Sequence, residues 1–175
     1  MSDIIFVIGG CRSGKSRQAL ELAEKVPARK HIFIATCVPY DDEMKERVKR
    51  HQIDRSEHWQ TVEEPILLSE VLERNTSPEN VVLIDCLTLW VNNILMDMGT
   101  PDMNRIDHHI QNLVRSLTLS PGTVILVSNE VGGGIVPENT LARFFRDATG
   151  FTNQAIAAVA TSVIWMAAGI PVKIK

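Results

Sequence analysis

An apolar stretch that runs straight into a glycine-rich loop is the feature that most constrains the fold of this chain. Residues Ile4 to Ile8 are apolar and mostly β-branched, which predicts a buried central strand. The next eight residues fit the pattern G-x-x-x-x-G-K-[ST], and a helical pattern from Arg17 to Lys25 follows. Strand, glycine loop and helix in this order indicate a nucleotide-binding protein. The eight loop residues are Gly9, Gly10, Cys11, Arg12, Ser13, Gly14, Lys15 and Ser16.

The residue types in this loop suit a polyphosphate. Glycines carry no Cβ, so the backbone can adopt positive φ and approach an anion closely. The loop amides and the following helix N-terminus then direct donors and partial positive charge at the phosphates. Lys15 is expected to reach the β- and γ-phosphates, and the Ser16 hydroxyl to ligate Mg²⁺. The alternative, a glycine-rich turn with a surface lysine, is disfavoured by the full motif in its proper context.

A second strand pattern ends in an acidic residue. Val81 to Ile84 are apolar and lead into Asp85, which resembles the Walker B strand of nucleotide-binding proteins. In open α/β sheets ligands bind at the carboxyl ends of strands, so Asp85 is a candidate Mg²⁺ partner, directly or through water. The alternative is that Asp85 caps the following helix.

Composition bounds the class of protein. The chain has 175 residues, 45% hydrophobic and 22% charged, which predicts one soluble globular domain over residues 1–175. A net charge of −3 and a pI near 5.9 argue against a nucleic-acid surface. Three cysteines without C-x-x-C spacing predict neither disulfide framework nor zinc site and suit the reducing cytoplasm. The first strand pattern begins almost at once, so no cationic leader is expected, and residues 155–170 are expected to form a helix and a strand rather than a membrane span.

The whole pattern predicts an α/β fold with a mostly parallel sheet. Strands are predicted at 4–8, 31–36, 81–85, 123–128, 163–167 and 172–174. Helices are predicted at 17–25, 43–55, 66–74, 87–98, 106–119 and 137–160, the last with a possible interruption at Gly150. Residues 59–65 are predicted to be a connection. The tight turn at 169–171 predicts that the last two strands form an antiparallel hairpin at the sheet edge.

One histidine lies in a setting that permits catalysis. His51 shares a predicted helix face with Glu43, Arg47 and Arg55, and Asp54 follows it at i+3. Basic neighbours can hold polyphosphate while a carboxylate orients the imidazole. A neutral imidazole nitrogen can then attack phosphorus and form a phosphoramidate. Most isolated helix histidines are solvated or structural, and the residues alone do not decide between these roles.

Other polar residues are weaker candidates. Glu130 lies where a strand meets the glycine loop 132–134, so it is placed to face nucleotide or substrate. Arg143 and Arg146 follow in the next helix, where a solvated basic face is an equally good interpretation. Four histidines have no setting comparable to that of His51: His31, His58, His108 and His109. The N-K-x-D guanine signature of regulatory GTPases is absent.

Taken together, these residues resemble a known family, the bifunctional adenosylcobinamide kinase/adenosylcobinamide-phosphate guanylyltransferases of cobalamin biosynthesis. The resemblance runs nearly end to end and combines motifs that a phosphate loop alone does not supply. The matching stretches are 9–16, 34–36, 42–44 with Arg47 and His51, Trp59, Thr61 and Glu63, 85–90, 128–132, 134–137, 142–143 and 145–147. Cys11 replaces the usual alanine, and Thr161-Ser162 stands where an acidic residue is common.

The resemblance implies a RecA-like P-loop NTPase fold, a homotrimer and two reactions. The first phosphorylates adenosylcobinamide with ATP or GTP, and the second transfers GMP from GTP to adenosylcobinamide phosphate. His51 matches the family's guanylylated histidine, while the catalytic role of Lys15 is expected from the loop motif itself. The implied nucleotide contacts are residues 9–16, Ala35, Thr36, Cys37, Gln52, Ile53, Asp54, Arg55, Glu63 and Asp85.

Two other functions fit the loop without the resemblance. One is a small-molecule kinase with no guanylyl step, which would retain no label from α-labelled GTP. The other is a non-enzymatic nucleotide-driven switch or assembly subunit, which would hydrolyse nucleotide without dependence on cobinamide.

Overall fold

The computed structural model describes residues 3–39 and 58–175, which contain both strands and helices. The strands are β1 (Ile4–Gly9), β2 (Lys30–Ala35), β3 (Trp59–Glu63), β4 (Asn80–Asp85), β5 (Thr123–Asn129), β6 (Ser162–Ala167) and β7 (Ile170–Lys173). The helices are α1 (Lys15–Glu24), α2 (Leu68–Asn75), α3 (Leu87–Met98), α4 (Met103–Leu119) and α5 (Thr140–Val159).

The strands form one seven-stranded sheet in the order β3-β2-β4-β5-β1-β6-β7. β1 pairs in parallel with both β5 and β6, so the strand that leads into the phosphate loop lies inside the sheet. The first six strands in chain order are mutually parallel, and β7 pairs antiparallel with β6 at one edge. This confirms the predicted mostly parallel sheet and the C-terminal hairpin.

Helices cover both faces of the sheet, and the strands divide their side chains between them. Alternate residues of a strand point to opposite faces, so Phe6 and Ile8 pack with α2 to α5 while Val7 packs with α1. On the α1 side, Ala19 and Ala23 are fully buried and let the helix approach the strands closely. Near-continuous apolar strands are therefore what a sheet covered on both faces requires.

One element prediction is wrong, and one interruption that the sequence allowed does not occur. Residues 59–63 form the edge strand β3 rather than a connection. The sequence did not indicate a strand here because Gln60, Thr61 and Glu63 are polar and exposed, as is common at the edge of a sheet. Helix α5 runs through Gly150 without interruption, since packing of its flanking turns outweighs the modest helix penalty of one glycine. The predicted helix 43–55 lies outside the described residues. Among those residues, no helix has the length and apolar character needed to cross a membrane.

Candidate functional site

The carboxyl edge of the sheet gathers the polar residues that the sequence singled out. Register pairs Gly9 with Asn129, and pairs Ala35 with both Asp85 and Glu63. Parallel strands all end at the same edge, so the phosphate loop, the acidic end of β4 and the exposed Glu63 share one rim. Of the nucleotide contacts implied by the resemblance, Ala35 and Cys37 are partly exposed here and Thr36 is buried.

The phosphate loop depends on glycine at two positions, one where a side chain would clash and one where the backbone has positive φ. A Cβ on Gly9 would lie 2.5 Å from the Met166 carbonyl oxygen of β6, which no substitution could avoid without moving the backbone. Gly14 has φ of +93° at the start of α1, a left-handed conformation that favours glycine. The loop residues Cys11 and Arg12 are exposed, while Ser13 is buried.

Lys15 is held inside this loop. Its side chain is only 7% exposed, and its Nζ donates to the Gly10 carbonyl at 2.5 Å and lies 3.4 Å from the Ser13 hydroxyl. The Gly169 amide, in the β6–β7 turn, donates to the Ser13 carbonyl at 3.0 Å. The C-terminal hairpin therefore braces the loop, and the charge of Lys15 is held inside it.

Asp85 is the last residue of β4, and the backbone of the next residue, Cys86, is held by hydrogen bonds. The buried Thr36 hydroxyl accepts from the Cys86 amide at 2.8 Å and donates to the Cys86 carbonyl at 2.8 Å. Burial, reinforced by the Asp85 charge, raises the pKa of the Cys86 thiol to about 12. The Asp85 carboxylate is partly exposed, as is the Ser16 hydroxyl at the start of α1. Both are hard oxygen donors of the kind Mg²⁺ binds, so the donor set fits that ion.

A buried polar network that the sequence did not reveal supports this rim. The Thr88 hydroxyl of α3 accepts from the Asn129 amide at 2.7 Å and lies 3.3 Å from the Ser128 hydroxyl. The Asn93 side-chain amide donates to the Thr36 carbonyl at 2.7 Å. Both are buried polar residues of a helix whose other buried side chains are apolar, and that pattern was the available signal.

Glu130 and Arg146 organise the glycine loop that follows β5. The Glu130 amide donates to the Gly9 carbonyl at 3.0 Å, and its carboxylate accepts from the Gly132 amide at 2.6 Å. Arg146 Nη2 donates to the Gly132 carbonyl, while its buried Nη1 has no hydrogen-bond partner among the described residues. Arg143 likewise donates to the Pro137 carbonyl at 3.1 Å. These arginines hold loop carbonyls, so a purely solvated basic face is the wrong interpretation of the pair.

The remaining predicted site residues cannot be placed. His51, Gln52, Ile53, Asp54 and Arg55 lie outside the described residues. The geometry of the rim can thus be described for the phosphate loop, residues 35–37, Glu63 and Asp85.

Comparison with known proteins gives a family match over almost the whole chain. Residues 5–174 match the model of the cobinamide kinase / cobinamide phosphate guanyltransferase family. Two relatives are described as the bifunctional adenosylcobalamin biosynthesis protein CobU, from Escherichia coli K12 (43% identical) and Salmonella typhimurium LT2 (42%); each match covers 98% of this chain and 99% of the relative. A third, CobP of Pseudomonas aeruginosa PAO1, is 40% identical over 100% of this chain and 98% of its own length.

Solved structures of low sequence identity share the fold. A protein of Pyrococcus horikoshii OT3 aligns with a TM-score of 0.59 at 8% identity, covering 99% of this chain and 86% of that protein. The flagellar accessory protein FlaH of Methanocaldococcus jannaschii aligns with a TM-score of 0.51 at 12% identity, covering 99% and 78%. At such identities the likeness concerns the fold alone, and it agrees with the P-loop NTPase architecture predicted from the sequence.

Proposed function

Because this chain belongs to the cobinamide kinase / cobinamide phosphate guanyltransferase family, it is a bifunctional transferase, and we propose that one phosphate loop serves both of its reactions. In the kinase reaction the aminopropanol hydroxyl of adenosylcobinamide attacks the γ-phosphorus of ATP or GTP, loses its proton, and displaces the nucleoside diphosphate. In the guanylyl transfer, GMP passes from GTP to adenosylcobinamide phosphate, giving adenosylcobinamide-GDP and pyrophosphate.

The observation that carries the proposal is the buried Lys15 in a preformed loop. Both leaving groups, the nucleoside diphosphate and pyrophosphate, contain the β-phosphate. A lysine charge held at the β- and γ-phosphates therefore stabilises negative charge that develops in either reaction. The Lys15 ammonium is held by contacts to Gly10 and Ser13, so little reorganisation is needed when a nucleotide binds.

Mg²⁺ is the proposed metal of this site. Ser16 and Asp85 would hold it, since their oxygens lie at the start of α1 and the end of β4 on the same rim. The bound ion would neutralise phosphate charge. The loop residues 9–16, with Ala35, Thr36, Cys37, Glu63 and Asp85, would form the described part of the nucleotide site, and residues 52–55 would complete it.

His51 is the proposed nucleophile of the guanylyl transfer. Its ring nitrogen would attack the α-phosphorus of GTP, breaking the bond to the β-phosphate oxygen and releasing pyrophosphate. A phosphate oxygen of adenosylcobinamide phosphate would then attack the same phosphorus, and breaking of the P–N bond would restore the imidazole. Support for this role comes from the family resemblance and the basic neighbours of His51 in the sequence.

Labelling with α-labelled GTP tests the covalent step. The wild-type protein should retain label in a form that is stable in alkali and lost in acid, as expected for a phosphoramidate. His51→Ala should retain none while keeping much of the kinase activity, which also shows that the variant is folded. His108→Ala, an exposed histidine of α4, is the matched control and should label normally. Acid-labile labelling of His51→Ala would assign the nucleophile to another residue, and an unlabelled wild type would favour a kinase without guanylyl transfer.

We also propose a homotrimer in the cytoplasm. Large apolar side chains are exposed in the loop before α5, where Ile135 is 97% exposed, and along the edge strand β7 at Ile170 and Val172. Exposed apolar surface of this kind is typical of protein interfaces. None of the three cysteines is part of a disulfide within the described residues, which suits a reducing compartment. Light scattering of the purified protein should give three times the chain mass, and a monomeric mass would contradict the trimer.

A further inference from the structure

The opposite, amino edge of the sheet carries a second cluster of side chains that the nucleotide site does not use. It consists of Glu24, the last residue of α1, His31 near the start of β2, and His58, which immediately precedes β3. Sequence reasoning missed this cluster, because its members are far apart along the chain. One possible ligand atom from each residue lies within 4.8 Å of the other two.

Strand register and helix direction bring the three residues together. His31 pairs with Trp59 in the parallel β2–β3 ladder, so His58 reaches the amino edge beside His31. Their imidazole centroids are 4.8 Å apart in an edge-to-face contact. Helix α1 starts from the carboxyl edge at the phosphate loop and returns across the sheet, which leaves Glu24 at the amino edge.

The carboxylate of Glu24 is oriented by a neighbouring side chain. Trp59 Nε1 donates to Glu24 Oε1 at 2.7 Å, and the other oxygen, Oε2, lies 3.3 Å from His58 Nε2. Hydrogen bonds that orient a ligating group from outside are a common feature of metal sites. The tryptophan therefore fixes one oxygen and directs the second toward the histidines.

The spacing suits a transition metal with little rearrangement. In a tetrahedral zinc site with bonds of about 2.0–2.1 Å, neighbouring ligand atoms are about 3.3 Å apart. Glu24 and His58 already have that separation, and the separations involving His31 are at most 4.8 Å. Rotations of the exposed Glu24 and His58 side chains could close the difference. Two imidazoles and one carboxylate form a ligand set that zinc enzymes use with water in the fourth position.

His31 supplies an independent reason to expect a ligand. Its Nε2 is buried from solvent and has no hydrogen-bond partner in the described ranges 3–39 and 58–175. Buried polar atoms in proteins are normally satisfied, so an unsatisfied imidazole beside a second histidine and a carboxylate calls for an explanation. A cation bound by the cluster would provide one.

We propose that Glu24, His31 and His58 bind one divalent transition-metal ion, with Zn²⁺ as the representative ion. Imidazole ligands favour such ions over Mg²⁺, so this site and the nucleotide site would select different metals. The ion would join α1, β2 and β3 and stabilise that part of the fold. Strands of five to six residues separate the two edges by roughly 17–20 Å, so the ion would take no part in phosphoryl transfer.

Zinc titration of the full-length protein, freed of metal with a chelator, tests the proposal. We expect one tight equivalent in the wild type by competition with a chromogenic chelator. His58→Ala and Glu24→Gln should each weaken this equivalent by about 100-fold or more, since even loss of an orienting residue weakens metal binding 10- to 100-fold. Both substituted side chains are exposed, so the variants should fold, and retained kinase activity checks this. His108→Ala, an exposed histidine elsewhere, should bind Zn²⁺ like the wild type.

Co²⁺ substitution identifies the ligands. The proposed site should give the visible absorption of four-coordinate Co²⁺, without the near-ultraviolet thiolate band that binding at Cys11 or Cys37 would produce. Absence of a tight Zn²⁺ equivalent would overturn the proposal and leave an ordinary polar contact between His58 and Glu24. Undiminished Zn²⁺ binding in both variants, or a thiolate band, would overturn it as well. None of these results alters the proposed kinase and guanylyl transfer, which are measured separately.

Discussion

The carboxyl edge of the sheet builds its site from contiguous residues, whereas the amino edge assembles its cluster from three separate segments. Lys15 is held by Gly10 and Ser13 of the same loop, so sequence spacing alone fixes much of the geometry. Glu24, His31 and His58 meet because β2 and β3 pair in one particular register. The difference teaches that local motifs reveal a site in the sequence, while sites made by register require the fold.

The largest expected effect in this comparison comes from Lys15→Ala. Both reactions should fall about 10- to 100-fold or more, because a charge-assisted contact is worth about 1.5–3 kcal/mol. Parallel assays of kinase turnover and of GMP transfer measure the loss. Zinc binding at the amino edge should not change.

Lys25→Ala provides the control for this substitution. Lys25 caps the far end of the same helix and is exposed, so its removal should leave both rates near the wild-type values. Near-normal turnover of either reaction in a folded Lys15→Ala protein would contradict the shared phosphate loop.

Asp85→Asn should have a smaller effect, confined to metal dependence. The substitution keeps the shape and removes the negative charge, so more Mg²⁺ should be needed for half-maximal rate, by about tenfold if roughly 1.4 kcal/mol is lost. Rates measured over a Mg²⁺ titration check this, with the exposed Asp107→Asn of α4 as control. An unchanged Mg²⁺ requirement would instead favour a structural role for Asp85 at the start of α3.

The success of the sequence-based predictions of the fold also depends on whether a feature is local in the chain or is formed by pairing of distant segments. The buried strands β1, β4 and β5 were predicted because short runs of apolar, mostly β-branched residues are typical of strands that are covered on both faces. The edge strand β3 was missed, since exposure of its side chains removes the apolar signal. Strand β3 can be recognised only from its pairing with β2, and the local sequence does not reveal which strands pair.

The candidate site shows the same limit at the level of residues. Motif spacing was enough to single out Lys15 and Asp85 as candidates. It did not reveal that the Thr36 hydroxyl hydrogen-bonds to both the amide and the carbonyl of Cys86. Nor did it reveal that the Thr88 hydroxyl accepts from the Asn129 amide at the end of β5. These contacts join segments that are distant in the chain. The proposed role of His51 stays a prediction from the family resemblance.

The smallest expected effect is the slower alkylation of a loop thiol at the carboxyl edge when nucleotide is bound. Cys11 is exposed in the phosphate loop and should react with iodoacetamide, more slowly when GTP covers the loop. Burial raises the pKa of the Cys86 thiol to about 12, so Cys86 should remain a neutral, unreactive thiol at pH 8. Mass spectrometry after brief alkylation measures both sites.

One equivalent of Zn²⁺ extends the same experiment to the amino edge. It should not protect Cys11, because the proposed zinc ligands lie at the other end of the strands. Protection of Cys11 by Zn²⁺ would place the ion at the loop, and alkylation of Cys86 as fast as Cys11 in folded protein would contradict its burial.

The most direct test of one shared loop is competition by a bis-methylene analogue of GTP, whose α,β and β,γ carbon bridges prevent transfer of both the α- and the γ-phosphoryl group. Inhibition is measured in one preparation for γ-phosphate transfer from labelled GTP to adenosylcobinamide and for guanylyl labelling of the protein. If the Lys15 loop serves both reactions, the analogue should compete with GTP in each and give the same inhibition constant. Inhibition of one reaction at concentrations that leave the other untouched would show two separate nucleotide sites and contradict the account.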